Sequence, residues 1–216
     1  MDKASEQIED WTNIINYHNE VWLDLHPGKE RYGKVTDDVA EVLSEISELF
    51  IRYCAAKNKF DTSKMYLNFY GPSLIIKCEK IEGDFLLGIG ENGLYLETYL
   101  AYNEYLSYMD DSYYLQLLQL EEFGHFELVE NQMYGEEITS IYGDVFRTNK
   151  SKLFKIIRNS VVAAGSKVEY PIWPNLQVTW GYNQDLYTAI SNCCQAFKIM
   201  YKLKYKLWKI HDLKSK

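Results

Sequence analysis

Lysine and arginine are missing from Ile81 to Phe146, a run of 66 residues in a chain of 216. With 23 basic residues in the whole chain, roughly seven would fall in a window of that length. Other features are scarce as well. There is no apolar run near the roughly 18 residues a membrane-spanning helix requires, which argues against a membrane protein. The ten residues from Met1 to Asp10 are polar and hold four acids, so no signal peptide is expected there. Cys54, Cys78, Cys193 and Cys194 form no CxxC pair and no spaced framework, and Cys193 and Cys194 are sequence neighbours. They read as buried thiols in a reducing compartment, which places the protein in the cytoplasm.

Recognisable chemistry is also lacking. No GxSxG elbow, no P-loop and no cysteine in a catalytic context occurs. Gly88-Ile-Gly90 starts like a dinucleotide loop, but the third glycine is absent and a turn follows instead of a helix. Glu122-Phe-Gly-His125 has the ExxH spacing of a di-iron helix; a second ExxH is missing and Gly124 disfavours the helix. His18 and His26 lie eight apart on one helical segment, but His26 precedes Pro27 at its end, and both read as structural or solvated. His211 belongs to what reads as a frayed, lysine-rich tail. No metal and no cofactor is expected, and no residue is assigned a catalytic role.

What the chain does contain is charge, strongly sorted. Residues 81–146 hold 14 carboxylates and nine of the 19 tyrosines. Residues 1–80 carry net −4, residues 81–146 carry −14 and residues 147–216 carry +10, for a total of −8. Like charges without local partners repel and cost stability. Either the basic flanks fold over the acidic run, or the run is an acidic, aromatic surface for a basic partner. Seven lysines from Lys198 to Lys216 alternate with Phe197, Tyr201, Tyr205 and Trp208. That pattern fits a nucleic-acid or membrane-surface helix, yet the apolar residues sit at core spacing and the lysines suit a helix C-terminus.

Hydrophobic spacing predicts helices over residues 6–25, 37–57 and 186–208. In the second, Val39, Val42, Ile46, Leu49 and Tyr53 mark one face. In the third, Leu186, Ile190, Cys193, Phe197 and Met200 or Tyr201 do so, with Lys198, Lys202, Lys206 and Lys209 on the other side. Met65–Tyr70, Leu74–Lys80, Phe85–Ile89 and Leu94–Leu100 read as antiparallel strands separated by glycine-bearing turns. The last should turn Leu94, Leu96, Thr98 and Leu100 to a core and Tyr95, Glu97 and Tyr99 to an exposed face. Ala101–Leu120 reads as helix broken near Asp110-Asp111-Ser112, with Ser112 as cap and Leu115 and Leu118 on its apolar stripe. Gly124–Glu130 alternates like a fifth strand, 148–165 reads as a helix and Leu176–Trp180 as a short strand. The whole is a single α+β domain over 1–216: an antiparallel sheet at about 63–100, extended by 124–130, flanked by N-terminal and C-terminal helices.

Tyrosine supplies rigid contact area at low entropy cost, and carboxylates around it repel nucleic acid and attract a cationic groove. In size, charge and aromatic content the chain resembles bacterial immunity proteins that neutralise nuclease toxins, and phage-encoded DNA mimics. That resemblance implies a non-enzymatic inhibitor binding a basic protein such as a toxin or nuclease. The candidate contact residues are Glu97, Tyr99, Glu104, Tyr105, Tyr108, Asp110, Asp111, Glu121 and Glu122. Nucleic acid and membrane are not expected as partners. Two other readings stand beside it: a small cytoplasmic enzyme whose site is built from unremarkable residues, and a self-associating structural protein.

Overall fold

The structure, a computed structural model, describes residues 37–55, 64–67, 73–90, 92–129 and 175–216. The helices expected over 6–25 and 148–165 lie outside these residues, as do His18 and His26. In chain order the elements are α1 (Asp37–Ala55), β1 (Lys64–Leu67), β2 (Ser73–Cys78), β3 (Gly83–Gly90), β4 (Gly93–Tyr99), α2 (Asp111–Leu118), β5 (His125–Val129), β6 (Asn175–Trp180) and α3 (Leu186–Lys214). Short 3-10 turns occupy Glu79–Ile81, Asn103–Tyr108 and Gln119–Glu122. The six strands form one antiparallel sheet in the order β1-β2-β3-β4-β6-β5. The fold is α+β, as the run of short antiparallel strands flanked by amphipathic helices predicts. Of the strand expected at 65–70, β1 includes residues 65–67: it covers Lys64–Leu67, in register with Lys77–Leu74 of β2, and residues 68–70 lie outside the described residues.

The chain divides into two compact units. The first comprises residues 1–78, 84–96 and 179–194. Its core joins Leu43, Ile46, Phe50 and Cys54 of α1 to Leu74 and Ile76 of β2, Phe85 and Leu87 of β3, Leu94 and Leu96 of β4, and Ile190 and Cys193 of α3. The buried face of α1 is rotated from the predicted one. Ile46 and Leu49 belong to it, but Phe50 and Cys54 complete it and Tyr53 is exposed. A second apolar residue one position away on a helix moves the stripe by about a quarter turn, and only packing chooses between them. Here α3 makes the choice: the Cys54 thiol donates to the Cys194 carbonyl at 3.7 Å and the Cys194 thiol to the Phe50 carbonyl at 3.8 Å. All four cysteines are buried and free, and burial pushes the Cys193 thiol well above its ordinary pKa. A side chain is excluded at Gly93, at φ +120, because a Cβ there would collide with the Trp180 carbonyl oxygen.

The second unit comprises residues 79–83, 97–178 and 195–216. Leu100, Leu106, Tyr113, Leu117, Leu120, Phe126, Leu176, Val178, Phe197, Met200, Leu203 and Leu207 are among its buried apolar residues. The helix expected to end near Trp208 continues to Lys214, so His211 sits in its last turn and not in a frayed tail. Between β4 and α2 the chain forms a 3-10 turn instead of a regular helix. Tyr102 enters it in the left-handed region, φ 61, which breaks the 3.6-residue register. Met109 and Asp110 are extended, so α2 takes its own register: Tyr113 and Leu117 are buried, whereas Leu115 is 63% exposed. The cap of α2 is Asp110, whose carboxylate accepts from the Tyr113 N–H at 3.1 Å, while the Ser112 hydroxyl donates to Asp110 at 2.7 Å. The carboxylate is the better acceptor for an orphan helix N–H, so serine becomes its helper.

Candidate functional site

The acidic run contributes two kinds of surroundings to the second unit. β4 supplies the first. Its alternation is as predicted on the core side, where Leu94, Leu96, Thr98 and Leu100 are buried, but the opposite face is half-buried. Glu97 accepts hydrogen bonds from the side-chain amides of Asn175 (2.8 Å) and Gln177 (2.9 Å) on β6. Burial raises its pKa from the ordinary value of 4.5, and the two amide donors only partly offset this. Glu97 therefore joins strands instead of facing solvent, because β6 inserts beside β4 from more than 70 residues away in sequence.

On the other face of the same strand lies Lys204, which the sequence reading did not single out from the seven C-terminal lysines. It is only 3% exposed. Its ammonium donates to the Thr98 hydroxyl at 2.7 Å and the Tyr99 carbonyl at 2.9 Å, and lies 4.5 Å from the centroid of the Tyr99 ring. Gly83 leaves the room: a Cβ there would be 2.7 Å from Lys204 Cε. A signal was present. Cys193, Phe197, Met200, Lys204 and Leu207 follow the alternating three- and four-residue spacing of a buried helix stripe, and Lys204 stands at a core position within it. A buried ammonium is tolerated only with good acceptors, and Tyr99, one of the predicted contact residues, provides two of its contacts.

The second set of surroundings runs from the 3-10 turn through α2 to Glu122. Glu104, Tyr108, Asp110, Asp111, Glu121 and Glu122 are all exposed, and Tyr105 is half-buried. Tyr108 at 63% and Leu115 at 63% are the largest apolar surfaces among them. The Ser112 hydroxyl, and after it the Tyr113 N–H, hold the Asp110 carboxyl below its ordinary pKa, with Lys206 adding a smaller attraction. Tyr113 is fully buried, packing edge-on against Tyr114 at 5.5 Å, and the Tyr114 hydroxyl donates to the Leu106 carbonyl at 2.6 Å. These contacts fix the backbone that displays the carboxylates.

The last turn of α3 meets this segment through rings. His211 stacks on Tyr102 with centroids 4.2 Å apart and planes 20° apart. The Tyr102 hydroxyl donates to Glu82 at 3.1 Å, and burial together with that carboxylate pushes its pKa up to about 12. Lys214 places its ammonium 4.0 Å from the Tyr108 centroid and 4.8 Å from that of Tyr105. Part of the basic C-terminal segment thus does fold onto the acidic run, through aromatic faces that sequence reading did not pair with it. His125 and Glu122 are not helical neighbours: Glu122 ends a 3-10 turn, His125 opens β5, and the His125 ring contacts Glu127 at 2.8 Å. Among the described residues no group of three or more histidine, cysteine or acidic side chains could hold a metal ion, and no helix is long and apolar enough to cross a membrane.

Of the nine predicted contact residues, seven lie on the segment from Glu104 to Glu122, while Glu97 and Tyr99 sit in the interstrand surroundings. Comparison with protein-family models, curated proteins and solved structures finds no match for the chain.

Proposed function

We propose that the protein is a non-enzymatic binding protein that neutralises a basic protein partner, in the manner of an immunity protein or toxin inhibitor, through residues 104–122. The observation that carries this reading is the exposure of Tyr108 and Leu115, 63% each, on a short stretch that also exposes Glu104, Asp110, Asp111, Glu121 and Glu122. Apolar area on a protein's surface is unremarkable alone. With exposed carboxylates beside it in the sequence, the stretch has the composition of a contact with a desolvated anchor and a polar edge. The same carboxylates repel a phosphate backbone and favour a cationic surface. Contact residues are confined to the segment after Tyr102, since Glu97 and Tyr99 already have intramolecular partners.

The test uses the protein and its triple variant Glu104→Lys/Asp111→Lys/Glu122→Lys as paired baits for lysate of the source cells. A basic protein retained by the first and not the second is then purified and its association followed at about 0.05 and 0.5 M salt, where the Debye length is roughly 14 and 4 Å. The on-rate should fall with salt much more than the off-rate rises, and the captured protein's activity should be inhibited. Equal capture by both baits, or salt-independent association, would overturn the reading.

A further inference from the structure

We infer that Tyr105 and Tyr108 form a two-ring site for an organic cation, an arginine or lysine side chain of the basic partner, and that the chain's own Lys214 occupies this site until the partner displaces it. The inference rests on the reading above and adds to it the ligand group and a built-in competitor. The two rings lie 6.2 Å apart between centroids and are inclined by 55°, a wedge whose two faces can both see one cation. A cation within about 6 Å of a tyrosine centroid is attracted by the negative ring face. Lys214 meets that condition at both rings, at 4.0 and 4.8 Å.

Lys214 is there because α3 continues past Trp208, and His211, one turn earlier, stacks on Tyr102. That stack anchors the helix end independently of the lysine, so the ammonium can leave the wedge without releasing the helix. Lys214 is itself exposed, and Tyr108 is 63% exposed, which leaves the wedge open to solvent on one side. A displaced Lys214 still complements the negative end of α3, so little is lost on leaving. An incoming guanidinium has two advantages over it. It is planar and more weakly hydrated, and it stacks on aromatic faces where an ammonium acts as a point charge. Glu104, next to Tyr105, and Asp110 and Asp111, just beyond Tyr108, are exposed and add attraction for a cation arriving from outside.

The experiment follows the ring proton resonances of Tyr105 and Tyr108, assigned by Tyr→Phe substitution, as the full-length protein is titrated with N-acetylarginine methylamide. N-acetylcitrulline methylamide, a neutral isostere, is the control. The arginine compound should give saturable shifts at both rings and the citrulline compound none. Lys214→Ala should tighten arginine binding about two- to five-fold, the scale of an exposed cation–π contact, and Tyr108→Ala should remove it. Equal affinity in the wild type and Lys214→Ala would overturn the competitor, and equal shifts with citrulline would overturn the cation site. No shifts in any variant would overturn both. The wider reading is judged apart from these outcomes: salt-sensitive capture of a basic protein with an empty wedge would leave the acidic surface standing and reject only this site.

Discussion

Glu97 and Glu104 belong to the same lysine- and arginine-free run, and they meet opposite fates. Glu97 is half-buried between strands, with two amide donors supplied by β6. Glu104 is exposed on a 3-10 turn. The tyrosines divide in the same way: Tyr113 of α2 is fully buried, whereas Tyr108, five residues earlier, is 63% exposed. A compositional block is therefore not a surface. Its strand portion is stitched into the sheet, where polar side chains must find partners. Its helical portion lies over the core on one side only and leaves the other side free to be acidic.

The sharpest test of this division compares the two tyrosines. Tyr113→Ala removes a fully buried aromatic ring and should cost about 3–5 kcal/mol of folding stability, measured by denaturant unfolding. Tyr108→Ala should change stability by no more than about 0.5 kcal/mol while raising the off-rate for the basic partner by an amount worth about 2 kcal/mol. If both variants unfold alike, the two halves of the run are not distinct.

A smaller effect separates the carboxylates. Glu97→Lys would set an ammonium against the amide donors of Asn175 and Gln177 and should cost about 2 kcal/mol, the scale of losing hydrogen bonds to a charged group. Glu104→Lys should stay within about 0.5 kcal/mol, and Asp111→Lys should add only the about 0.3–1 kcal/mol of an unfavourable charge in the first turn of a helix. Thermal melts run beside binding kinetics would show the pattern: loss of stability at Glu97, loss of affinity at Glu104 and Asp111.

The smallest effect is a pair of opposed pH dependences. Glu97 has a raised pKa in the folded protein, so its ionised form opposes folding relative to its neutral form. That penalty fades as pH falls through the raised value and is gone below the ordinary 4.5. Asp110 has a lowered pKa, so its contribution is complete above the ordinary 3.8 and is lost as pH falls through the depressed value. Relative to Glu97→Gln, the wild type should gain in melting temperature from pH 7 down to about 4.5. Relative to Asp110→Asn, it should lose below about pH 3.8. Parallel curves for wild type and Glu97→Gln would mean that the raised pKa is absent.

Local sequence determined much of this protein. Glycine-bearing turns and short β-rich runs marked β2, β3 and β4 to within a residue or two, because turn chemistry and strand alternation act over a few neighbours. The core stripe of α3 from Leu186 to Tyr201 was likewise visible in its spacing. The sorting of charge needed only counting. What the tertiary structure alone decided were matters of partnership. Whether Glu97 faces water depended on β6 arriving beside β4. Whether Leu115 or Leu117 is buried depended on the extended residues Met109 and Asp110, which separate α2 from the 3-10 turn and let it pack on its own face. Lys204 became a core residue because Thr98, the Tyr99 carbonyl and the space above Gly83 gather around it. Lys214 found Tyr105 and Tyr108 because α3 runs a turn and a half further than its apolar stripe required. Spacing along a chain reports which faces exist; a charge's meaning is set by what stands opposite it, and that is a long-range fact.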